Sequence, residues 1–87
     1  MIAQVELSDY EKHAGQRAKH RALIMQILWL HPEGLTTQQI QQKEVELYGY
    51  SFLTDNRLRE LRELEWVKSV KGADGLLRWF AVKQESS

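Results

Sequence analysis

Leu58-Arg-Glu-Leu-Arg-Glu-Leu-Glu-Trp-Val67 carries the sharpest change of periodicity in this chain. Leu58, Leu61 and Leu64 recur at helical spacing with charged residues between them, which predicts a helix with one apolar stripe. The pattern then changes. Trp66-Val-Lys-Ser-Val-Lys71 reads as a strand, Gly72-Ala-Asp-Gly75 as a turn, and Leu76-Leu-Arg-Trp-Phe-Ala-Val82 as the returning strand. Ser51 or Thr54 is placed to cap the helix at its start.

Working back from that helix, Thr36-Thr-Gln-Gln39 is a capping box, a hydroxyl followed three residues later by an amide that can reach back. It opens a second helix in which Ile40, Val45 and Leu47 or Tyr48 offer apolar contacts, with Gly49 as the C-cap. Leu35, just before it, supplies a minimal third strand. Farther back, Ser8-Asp-Tyr-Glu11 forms another capping box, and His31-Pro-Glu-Gly34 is a stop signal. The first helix is therefore expected to run from there to Leu30. Its first half is polar and basic (Lys12, Arg17, Lys19, Arg21) and carries Gly15, which marks it as a projecting arm that frays or kinks at the glycine. Its second half places Leu23, Ile27 and Leu30 on one stripe, widened by Ile24 and Leu28. Leu23, Ile27, Leu58 and Leu61 are expected to share the core. The expected organisation is a tail over 1–8, one domain over 9–82 and a tail over 83–87. The class is α+β, mostly helical, with three helices followed by a hairpin.

Composition sets the outer bounds. Eighty-seven residues suffice for one small core but not for a core plus a buried catalytic cleft. With 43% hydrophobic and 28% charged residues the chain reads as globular. The lack of cysteine excludes disulfides and thiolate zinc sites and agrees with a reducing, cytoplasmic setting. No signal peptide and no membrane-spanning stretch is read. Twelve basic and twelve acidic side chains cancel, so a DNA-binding role requires the basic ones to gather on one face.

Gly34-Leu-Thr-Thr-Gln-Gln-Ile40, then Leu58 to Val67, then strand, turn and strand, resembles the winged helix-turn-helix domains of small bacterial and phage transcriptional regulators. The resemblance covers roughly residues 21 to 82. It implies a double-stranded DNA partner, with the third helix in the major groove and the hairpin wing on the backbone. One departure is visible: such families often carry glycine where this chain has Glu65 or Trp66, which predicts a looser or longer exit from the third helix.

Winding that helix at about 100° per residue sets Leu58, Leu61 and Thr54 on one side. Phe52, Asn56, Arg59 and Glu63 fall on the other, flanked by Asp55, Glu60 and Arg62. Asn56 and Arg59 suit adenine and guanine edges, and Arg57 and Arg62 add charge nearby. Ser51 and Thr54 suit phosphate, as do Thr36, Thr37 and Gln38 at a helix N-terminus. Lys68, Lys71 and Arg78 make the hairpin basic. The competing reading is a solvated face of self-paired charges such as Arg59 with Glu63.

Three tryptophans leave at least one expected on the surface, which implies a homodimer seam beside the first helix. Tryptophan surplus and zero net charge also favour a second reading, a winged helix used as a protein-docking module. His13, His20 and His31 have no acidic partner at fixed spacing, and no metal, phosphate-loop or nucleophile motif is present. No enzyme activity, cofactor or metal is expected.

Overall fold

The computed structural model describes residues 2–84, with side chains from Gly15 onward. The order of elements is α1 (Ile2–Leu30), β1 (Leu35–Thr36), α2 (Thr37–Tyr48), α3 (Thr54–Glu63), β2 (Val67–Lys71) and β3 (Leu77–Ala81). This is an α+β fold, mostly helical, with a small antiparallel sheet.

Helix α1 begins at Ile2, ahead of the capping box at Ser8, so the boundary expected between residues 8 and 9 is not an element boundary. Residues 2–8 contain neither proline nor glycine to stop the helix. It also runs unbroken through Gly15, whose cost of about 1 kcal/mol relative to alanine is too small to end a long helix. The helix does stop where Pro32 follows, and Gly34 turns the chain into β1 at φ 90°. A Cβ on Gly34 would stand 2.5 Å from the Phe80 ring, so that turn requires glycine twice over.

Both halves of the α2 capping box form. The Gln39 amide N–H donates to Thr36 Oγ1 at 3.2 Å, and the Thr36 N–H donates to Gln39 Oε1 at 3.0 Å. Gly49 caps the other end at φ 86°, its N–H on the Val45 carbonyl. The inward side of α2 differs from the expected one. Ile40 and Glu44 are buried and Tyr48 half-buried, at intervals of four, whereas Val45 and Leu47 are exposed.

Neither expected residue caps α3. Ser51 lies in the connecting turn, Thr54 is already helical, and Leu53 at the cap position makes no side-chain cap bond. The exit of α3 is tight rather than loose. Glu65 N–H donates to the Arg62 carbonyl and Trp66 N–H to the Leu61 carbonyl, a Schellman closure that puts Glu65 in the left-handed region at φ 62°. Glutamate thus adopts the backbone for which glycine is the easier residue. Leu64, expected on the apolar stripe, is exposed.

The sheet order is β1-β3-β2. Leu35 pairs with Trp79, and Ser69 pairs with Trp79 from the other side, so β3 is the central strand. Trp66, Leu76 and Val82, read as strand ends, lie just outside the strands. The core joins Ile24, Met25, Ile27 and Leu28 of α1 to Leu35, Ile40, Phe52, Leu58, Leu61, Val67 and Trp79. The buried stripe of α1 is thus rotated from the expected one: Leu23 is half-buried and Leu30 is 72% exposed. No described helix is long and apolar enough to cross a membrane.

Candidate nucleic-acid interface

With Leu58 and Leu61 directed into the core, the opposite side of α3 carries Asn56, Arg59 and Glu63, with Arg62 on the flank, one turn beyond Leu58, and all four are exposed. The Arg62 guanidinium lies 5.7 Å from the Trp79 ring centroid, which ties this face to the central strand. Exposed Lys68 and Lys71 follow on β2, Lys68 with its ammonium 5.8 Å from the Phe80 centroid. Ser51 and Gln38 are also exposed. Among the described residues Arg59, Arg62, Lys68 and Lys71 have no ion-pair partner. Against these four cations stand the exposed acids Asp55, Glu63 and Glu65. The face is therefore only mildly positive, and it gains its character from position more than from net charge.

Several residues expected on the contact surface are engaged elsewhere. Phe52 is 2% exposed and belongs to the core, because it lies in the turn before α3 and not on its outer side. Thr54 is buried, its hydroxyl 2.8 and 2.9 Å from the two carboxylate oxygens of Glu44. Arg57 is 7% exposed. Its Nη2 donates to Glu60 at 2.8 Å, and the other oxygen of Glu60 accepts from Arg21 of α1 at 2.8 Å. Arg57 therefore helps hold α3 against α1 and lies off the outer face of α3, at the edge of a cleft beside the α2–α3 turn. The Thr36 hydroxyl is consumed by its cap, and the Thr37 hydroxyl accepts from the Trp79 indole at 3.0 Å. Arg78 clasps Asp74 through its two terminal guanidinium nitrogens, Nη1 and Nη2, which stabilises the hairpin turn. That clasp and the Leu76 N–H hold the Asp74 carboxyl down to about 2.

Tryptophan is not free either. Trp79 is buried, the half-buried Trp29 donates its indole N–H to the Lys83 carbonyl at 2.8 Å, and the Lys83 ammonium covers half-buried Trp66 at 3.7 Å. The exposed tryptophan expected at a homodimer seam is absent.

Two features escaped the sequence reading. Glu44, which carried no expectation there, is fully buried and accepts from the Phe52 N–H at 2.9 Å besides the Thr54 hydroxyl. Its spacing of four from Ile40 and from Tyr48 was the available signal. The second is an aromatic cluster under the turn. His20 stacks on Phe52 with centroids 4.3 Å apart and planes 4° apart, and its Nε2 lies 3.2 Å from the Tyr50 hydroxyl. The described residues contain no group of three side chains suited to hold a metal. No protein-family model, curated protein or solved structure matches this chain.

Proposed function

We propose that this chain is a DNA-binding domain of the winged helix-turn-helix type, a small regulator that reads double-stranded DNA and catalyses nothing. The α2–turn–α3 segment serves as the helix-turn-helix, α3 enters the major groove, and the β2–β3 hairpin is the wing on the backbone. The observation that carries this reading is the exposed set Asn56, Arg59 and Arg62 on α3 beside Lys68 and Lys71 on the hairpin. A helix face of that composition can offer paired hydrogen bonds to base edges while the lysines neutralise phosphate. The order β1-α2-α3-β2-β3, with β3 central, supports it as well.

Arg59→Ala is expected to weaken binding to a preferred duplex by roughly 1–3 kcal/mol and to relax the preference at one base position. A gel-shift series on duplexes varied one base pair at a time measures both. Wild-type affinity together with wild-type preference would remove Arg59 from the reading role.

Protein docking is favoured by one observation, the exposed Val70, Leu76 and Leu77 near the hairpin tip. That reading no longer has tryptophan anchors, since all three indoles are at least half-buried.

A further inference from the structure

A cleft of about 420 Å³ opens between α1, the α2–α3 turn and the start of α3. Its polar lining includes Arg17, His20, Tyr50, Ser51, Asn56 and Arg57, and among the described residues no carboxylate lines it. In a chain with as many acids as bases, such a one-sided lining is informative.

Three further observations give the cleft its sign. Arg57 is buried, with Nη2 on Glu60 and with Nε lacking any hydrogen-bond partner. Glu60 is also shared with Arg21, so two guanidiniums lean on one carboxylate and the cluster retains a surplus positive charge. Finally, α3 starts beside the cleft without a side-chain cap, and the positive end of its dipole adds to that sign. We infer that this cleft is a seat for a phosphate group, held by Arg17 and Arg57 with Ser51 and Asn56. A tetrahedral oxyanion has acceptors enough to meet donors arriving from α1, the turn and α3 together.

The phosphate comes either from a DNA backbone, which rests on the reading above, or from a small phosphorylated molecule. The state of His20 fits a positive cleft. Burial first, then the charges of Arg57 and Lys19, lowers its proton affinity. The groups around the ring are Arg17 and Lys19 on α1, Tyr50 in the turn and Arg57 on α3. A bound oxyanion offsets those cations and raises the proton affinity of the ring.

The test follows the His20 ring signals of the full chain by NMR, assigned by their loss in His20→Gln. Inorganic phosphate is titrated at one fixed pH against chloride of equal ionic strength. The expected result is a saturable shift with phosphate alone, weakened roughly tenfold in Arg17→Gln, whose exposed side chain can be changed without touching the core. A response identical to that of chloride, or one unaltered in Arg17→Gln, overturns the seat.

Duplex DNA in a second arm separates the sources. DNA that shifts His20 and competes with phosphate identifies the backbone as the source. DNA that shifts only α3 and hairpin signals, with phosphate still saturating, identifies a free phosphorylated ligand; both outcomes uphold the seat. Phosphate saturation without any DNA binding also upholds the seat and removes the DNA reading. DNA binding without a phosphate response overturns the seat alone.

Discussion

Glu44→Ala is expected to destabilise the fold by about 2–6 kcal/mol, whereas Glu44→Gln leaves it folded. The carboxylate accepts from the Phe52 N–H and the Thr54 hydroxyl, which ties α2 to the turn and to the first residue of α3. Alanine removes both acceptors at a site with no solvent access, and each stranded donor costs roughly 1–3 kcal/mol. Total stability for a chain this long is about 4–13 kcal/mol, so the loss is a large share of it. Glutamine keeps one acceptor oxygen in place and removes the buried charge. Urea unfolding of the two variants measures the contrast, and equal stability of Glu44→Ala and wild type would contradict it.

The same site has a pH signature of defined sign. Burial raises the Glu44 carboxyl above its ordinary value of 4.5, although the Phe52 N–H and the Thr54 hydroxyl pull it down. A carboxyl with a raised folded-state value binds more protons folded than unfolded, so its contribution to stability falls as pH rises from 4.5 through the folded value. Asp74 acts oppositely, because its depressed carboxyl stabilises the fold above the unfolded value and loses that contribution as pH falls towards about 2. The difference between wild type and Glu44→Gln isolates the Glu44 part.

Leu61→Ala is expected to cost about 2–5 kcal/mol, because it empties a fully buried position where α3 meets the common core. Leu64→Ala, three residues on, should cost far less, since Leu64 is 48% exposed. Thermal unfolding of the pair reads out the facing of α3 directly. An unchanged melting temperature for Leu61→Ala, or an equal loss for Leu64→Ala, would mean that α3 presents a different side to the core.

What could be read from sequence follows the range of the interactions involved. The Thr36–Gln39 box, the Gly49 cap and the stop after Leu30 each depend on neighbours within a few residues, and each stands where it was read. Leu35 was legible as a strand because it sits beside a capping signal. The facing of α1 was not, since Leu23, Ile24, Ile27, Leu28 and Leu30 give an apolar band too wide to show which edge turns inward. Thr54 and Arg57 were misread for another reason. Thr54 is held by Glu44, ten residues back, and Arg57 by Glu60, three residues on, whose carboxylate is fixed by Arg21 from α1 across 39 residues. Periodicity marks such residues as polar but says nothing of a distant partner that buries them. Asn56 and Arg59 were legible because they lie opposite Leu58 and Leu61 on one helix, and Arg62 because it flanks that outer face. The cleft beneath the turn was not, because it is assembled from α1, the turn and α3 at once.

DNA binding by this domain is measured by the affinity of the folded chain for double-stranded DNA as salt is raised. If Arg62, Lys68 and Lys71 each neutralise one phosphate, the log–log slope should be near −3, with retention at low salt lost at moderately higher salt. No DNA binding at low salt by a chain shown to be folded would contradict the account, and a slope near zero would point to the exposed apolar hairpin tip and a protein partner instead.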